Sequence, residues 1–189
     1  MARYTGDVGK ISVKVEQPFH FKNLYQCMHL WLLENGFESA DGDNDKWETF
    51  YLEKIGQVKE YWIEWDMTKN VEKNTYYNYK LNVKMHLLGM KKIEVMQEGH
   101  KVKLDHGEIE IIIEGKIQTD LKEKWKKHWL LKNFKKVYDE RIFKEEFMGM
   151  HETNLYRLMY ELQGTIKRYM AIRCYAPVEG FLHAPENQI

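Results

Sequence analysis

The stretch Tyr77-Asn78-Tyr79-Lys80-Leu81-Asn82-Val83-Lys84-Met85-His86-Leu87 decides the fold class. Its odd positions are all apolar or aromatic, and its even positions are Asn, Lys or His. Side chains alternate across a strand, so a two-residue period held this long puts one face on a core and the other in water. That is the signature of an antiparallel sheet with one wet face.

Upstream, Tyr61, Ile63, Trp65 and Met67 alternate with Trp62, Glu64, Asp66 and Thr68 in the same way. Trp47 to Ile55 and Val58 to Lys69 flank Gly56-Gln57, a two-residue hairpin signal. Ile11, Val13 and Val15 mark a first strand. Downstream, Ile93 and Val95, then Val102 and Leu104, read as short strands separated by Glu98-Gly99. Asp105-His106-Gly107 reads as a further turn, and Ile109, Ile111 and Ile113 as the last strand, opposite Glu108, Glu110 and Glu114. Ile112 interrupts the polar face, as a residue at an edge or an interface would.

Two regions carry helical spacing instead. Phe21, Leu24, Met28, Trp31 and Leu32 recur at intervals of three and four, and Asn35-Gly36-Phe37 supplies a Schellman-type stop. From Asp120 the period is helical again: Asp120 and Glu123 fit a capping box, and Leu121, Trp125, Trp129, Phe134, Tyr138 and Ile142 form an apolar series. A break is expected near Met148-Gly149-Met150. A second stretch then carries Leu155, Leu158, Met159, Leu162, Ile166, Tyr169 and Met170, up to Ala176-Pro177.

The expected fold is therefore α+β. An antiparallel meander of about six or seven strands carries an N-terminal helix and long C-terminal helices on one face. Residues 1–176 form a single domain, with the sheet and first helix over 10–119 and the helical region over 120–174; residues 177–189 are a short tail. In element order, residues 11–172 resemble the helix-grip arrangement of START-like lipid-binding domains. The resemblance is one of topology, and it implies a sheet curled around the last helix with an apolar cavity between them.

Composition narrows the function classes. Hydrophobic residues at 43% and charged residues at 31% exclude wholesale disorder. Lys+Arg and Asp+Glu are both 29, so the basic excess by which a dedicated nucleic-acid binder releases counterions is absent, and nucleic acid ranks last among partners. Zero net charge also permits self-association. The two cysteines form no CxxC pair, the N-terminus has no basic-then-apolar leader, and no run of about 18 apolar residues is present. The expected location is cytoplasmic.

Motifs for chemistry are weak. Asp41, Asp43 and Asp45 have the spacing of the first half of a calcium loop, but Lys46 stands where that loop needs glycine and Leu52 where it needs glutamate. An acidic solvent loop is the plainer reading, and no metal site is assigned. Glu64 and Asp66 lie two apart on one strand, where cross-strand ion pairs with Lys80 and Lys84 explain them better than catalysis. The eight histidines include no pair three or four apart in one helix, and no glycine-rich phosphate loop occurs. No catalytic residue or cofactor is expected, and the chain leans away from enzyme.

The basic, Trp-rich stretch Lys122 to Lys136 is the most pointed feature. Lys122, Lys126, Lys127, Lys135 and Lys136 suit a snorkelling helix packed on the sheet, a peripheral membrane contact, or a phosphate contact, in that order. Trp65, Tyr79, Met85, Trp125, Trp129 and Tyr138 are the candidates to line a ligand cavity or an interface. The leading expectation is a non-catalytic binding or assembly protein that acts through its surfaces, as a homo-oligomer or with a protein partner. Binding of a small apolar ligand or lipid between sheet and C-terminal helix is the alternative.

Overall fold

The computed structural model describes residues 5–40, 47–71, 77–97, 100–119 and 150–175. The elements run β1 (Thr5–Phe19), α1 (Phe21–Glu34), β2 (Glu38–Ser39), β3 (Glu48–Ile55), β4 (Lys59–Asn70), β5 (Tyr77–Gln97), β6 (His100–Thr119) and α2 (Glu152–Tyr175). The six strands form one sheet in the order β1-β6-β5-β4-β2, with β3 also paired to β4, and every pairing is antiparallel. Strand outweighs helix among the described residues. The second of the expected C-terminal helical stretches is α2, of 24 residues; the first, over 120–142, lies outside the described residues.

The alternation in Tyr77–Leu87 is laid out in space as the period requires. Register places Ile63, Met85, Ile111 and Val13 in one row across β4, β5, β6 and β1, all buried. The neighbouring row, Glu64, Lys84, Ile112 and Ser12, faces away from that core. Ile112 therefore sits half-buried in a central strand, not at an edge as one reading of the sequence had it.

Both described helices lie on the apolar face. The rings of α1 reach β4: Phe21 stacks on Tyr61 with centroids 6.3 Å apart, and Tyr25 meets Trp65 edge-on at 4.7 Å. From α2, the side chains of Leu155 and Met159 stand over Gly115 of β6, where no side chain fills the space. Leu24, Met28 and Leu32 of α1 and Leu155, Met159, Leu162 and Ile166 of α2 complete the core. At the end of α1, Gly36 takes a φ of 74°, and Phe37 N–H and Gly36 N–H donate to Leu32 O and Leu33 O at 3.0 and 2.9 Å. These two bonds satisfy carbonyls that the last turn would leave open.

One expectation is overturned. Residues 91–107 do not form separate short strands with a turn at Asp105-His106-Gly107. They belong to two long strands, β5 and β6, paired from Tyr77 and Thr119 out to Gln97 and His100. A bulge at Gly89 and Met90, opposite Gly107, shifts the phase of β5 by one residue. Gly89 has a φ of 69°, which a side chain would oppose. Beyond the bulge, Ile93, Val95, Val102 and Leu104 fall on the face that carries Glu108 and Glu110. Pairing with β4 stops at Met90 and pairing with β1 stops at Asp105, so among the described residues the outer part of this hairpin is a two-stranded arm.

Candidate functional site: the open edge of the sheet

The sheet has two edges, and they are treated differently. At β1 the edge is guarded. Gln163 of α2 reaches over and donates through Nε2 to Ser12 O at 3.0 Å, Tyr156 stands against Gly9, and Lys10, Lys14 and Pro18 lie along the strand. Charges, proline and an overlying side chain are the usual means of keeping a strand edge from adding a neighbour.

At the other edge, β3 has β4 as its strand neighbour, and its outward side carries no strand among the described residues. It carries apolar side chains on both faces, alongside the charged Glu48, Glu53 and Lys54. Phe50 is 46% exposed, Tyr51 54%, Leu52 49% and Ile55 73%. The register explains this: Tyr51 and Ile55 fall on the helix-bearing face beside Ile63 and Lys59, and Phe50 and Leu52 on the other face beside Glu64 and Trp62. Thr49 forms a bulge, its hydroxyl donating to Glu64 O at 3.1 Å, so the regular part of the strand is Phe50–Ile55.

Several polar groups around this edge are already paired. Glu53 meets Lys59 at 2.9 Å, and that ammonium holds its carboxyl below the usual range. Burial, with a weaker push from Glu53, raises the Tyr51 phenol. On the outer face, Trp62 stacks on His86 at 4.9 Å with an interplanar angle of 16°, and His86 Nε2 lies 2.8 Å from Glu60. Phe50, Leu52 and Trp62 thus make an apolar strip on this face, beside a group of polar side chains held by ion pairs and hydrogen bonds. Asp66 is bound by Lys80 at 3.1 Å and by Asn82 at 2.7 Å. Lys84, directly across from Glu64, bonds Glu114 instead, at 3.4 Å. Among the described residues, no group of three or more His, Cys, Asp or Glu side chains is placed to hold a metal ion.

Trp65, Tyr79 and Met85 all lie buried on the helix-bearing face. Trp65 packs at the centre of an aromatic group with Tyr25, His29 and Trp47, and Tyr25 Oη donates to Glu48 there. Burial, reinforced by Glu48, raises the Tyr25 phenol well above its ordinary value. Tyr79 Oη lies 2.9 Å from His151 Nδ1, beside the ring contact of His151 with Tyr77 at 4.3 Å. Met85 sits mid-core between Ile63 and Ile111. Trp125, Trp129 and Tyr138, the basic candidates Lys122, Lys126, Lys127, Lys135 and Lys136, and Asp41, Asp43 and Asp45 lie outside the described residues.

Phe50, Tyr51, Leu52 and Ile55 were not singled out from the sequence. A signal was present: Phe50-Tyr51-Leu52 breaks the alternation that β4 and β5 keep, with apolar side chains on consecutive positions and therefore on both faces. Among the described residues, no helix is long and apolar enough to cross a membrane. Comparison with protein-family models, with curated proteins and with solved structures finds no match.

Proposed function

We propose that this chain is a non-catalytic binding or assembly protein that works through its surfaces, within an oligomer or a larger complex. The observation that carries the reading is the contrast between the two sheet edges. β1 is guarded by Gln163, Lys10, Lys14 and Pro18, whereas β3 presents Phe50, Tyr51, Leu52 and Ile55. An exposed apolar edge strand is a template for pairing with another chain. Zero net charge removes the repulsion that would oppose it. Size-exclusion chromatography with light scattering tests the reading across a range of protein concentration. A species larger than the monomer, or a stoichiometric retained partner, is expected; a strict monomer with nothing bound would overturn it.

A second reading is binding of a small apolar ligand or lipid between the sheet and the C-terminal helical region, in a helix-grip-like arrangement. The observation in its favour is the Tyr79–His151 contact, a polar pair in an otherwise apolar layer between β5 and the start of α2. A few fixed polar groups in apolar surroundings suit recognition of a ligand headgroup. Native mass spectrometry of the purified chain, before and after incubation with fatty acids, checks it; an unchanged mass in both spectra counts against it.

A further inference from the structure

Resting on the assembly reading above, we infer that the partner at the β3 edge is a second copy of this chain. The two β3 strands pair antiparallel about a two-fold axis at Leu52, and one sheet continues through both copies. The argument starts from the regular part of the strand. The Thr49 bulge interrupts β3 at its start, which leaves Phe50–Ile55 free to pair. Antiparallel partners must present side chains on the same face. With the axis normal to the sheet, the helix-bearing faces of both copies then lie on one side, and each pair of facing residues must have numbers of the same parity.

Centring the axis on Leu52 meets these conditions using Phe50–Lys54 alone. Leu52 faces its own copy beside Trp62, closing the apolar strip. Phe50 faces Lys54, placing an ammonium beside a ring, an attractive arrangement. Tyr51 faces Glu53, so a phenol meets a carboxylate. Within one chain the same two side chains are already at 3.4 Å, a long contact that a facing carboxylate can improve. Each pair outside the axis occurs twice. Like charges meet nowhere in this register. Shifting the axis to Tyr51 would bring the bulged Thr49 opposite Glu53 and break the ladder, and shifting it to Glu53 would set two carboxylates against each other, so the Leu52 register is the favoured one. Because a two-fold interface is isologous, these complementary pairs along one short segment are what a second copy of the same edge needs.

The test uses the full chain and its single-residue variants, followed by sedimentation equilibrium and light scattering. The parent is expected to dimerise. Leu52→Lys sets two ammonium groups against each other on the axis and should raise the dimer dissociation constant by about tenfold or more. Phe50→Lys should do the same by facing Lys54, and Phe50→Lys combined with Lys54→Glu should restore the dimer. Circular dichroism of each variant verifies the fold. The substituted side chains are all exposed, and should a single variant fail to fold, the restored dimer of the double variant still decides the question. A dimeric Leu52→Lys variant would overturn pairing at β3 while leaving assembly through another surface standing. A Phe50→Lys loss that Lys54→Glu cannot restore would overturn the register and the proposal with it. A parent that stays monomeric at every concentration, with no partner retained, would overturn this inference and the broader reading together.

Discussion

Asp105 and Phe21, 84 positions apart, are joined by a hydrogen bond: the Phe21 backbone N–H donates to Asp105 Oδ2 at 3.2 Å. The first residue of α1 is thereby capped from β6. His20, at the N-cap position, makes no side-chain cap of its own. Lys92 Nζ lies 2.8 Å from the other Asp105 oxygen, so the carboxylate ties the root of the hairpin arm to the helix. Asp105→Ala should lower stability by about 1 kcal/mol, the usual effect of losing a helix N-cap. Asp105→Asn, which keeps the acceptor, should lose less. Urea unfolding of the three proteins measures both; equal losses in the two variants would show that charge, not the cap, is what matters.

The bulge in β5 yields a second expectation. A side chain on Gly107 would meet Met90 Sδ at 2.6 Å and Leu88 O at 2.8 Å. Methionine can move, but the Leu88 carbonyl belongs to the strand itself. Gly107→Ala should therefore destabilise by about 1–3 kcal/mol through overpacking and a displaced ladder. Gly56→Ala is the control, because its nearest contact, Val58 O at 3.6 Å, is an ordinary one. Parallel urea titrations give the comparison, and a Gly107→Ala protein as stable as Gly56→Ala would refute the account.

That bulge also explains what could and could not be read in advance. The alternation from Tyr77 to Leu87 was legible because every residue obeys one period on a half-buried strand. Beyond it, Ile93 and Val95 are out of phase with Met85 and Leu87 relative to the sheet, and Gly89 and Gly107 look like punctuation. A strand that changes its buried face at a bulge reads in one dimension as two strands and a turn. The Asp105 cap was invisible for a different reason, since it joins residues that only the folded sheet brings together. The β3 edge lay between these cases. Its consecutive apolar residues were plain to see, but only strand order shows that the strand is terminal and its outer side open.

Acid should weaken the α1 packing through His29. This side chain lies 4.2 Å from the Trp47 ring and edge-on to Trp65, and burial lowers its pKa below the ordinary 6.5, with Glu48 opposing more weakly. The folded state therefore favours neutral imidazole. Its contribution is complete above pH 6.5 and is lost as pH falls through 6.5 toward the lower folded value, because the unfolded chain takes up its proton first. His29→Phe should flatten that part of the profile. The melting temperature of both proteins across this window, with the His29 titration followed by NMR, provides the check; a midpoint at or above 6.5 would contradict the burial argument.

The two-stranded arm should open without the rest of the sheet. Ile93 pairs with Leu104 and Val95 with Val102, but among the described residues neither strand has a second neighbour there, since the pairing of β5 with β4 ends at Met90 and that of β6 with β1 ends at Asp105. Val83 and Ile111, by contrast, lie in strands flanked on both sides and are buried. A lone hairpin is marginal in water even when its facing residues are apolar. Local opening then needs far less free energy than global unfolding, and the difference is read by native-state hydrogen exchange. Hydrogen-bonded amides between Ile93 and Val95 and between Val102 and Leu104 should exchange fast and with little dependence on denaturant. Those at Val83 and Ile111 should exchange only with global unfolding. Equal protection in arm and sheet would mean that another surface covers the half-buried stripe of Ile93, Val95, Val102 and Leu104. Dilution distinguishes the source of such a cover, because protection supplied by a second molecule falls with concentration and protection from within the chain does not.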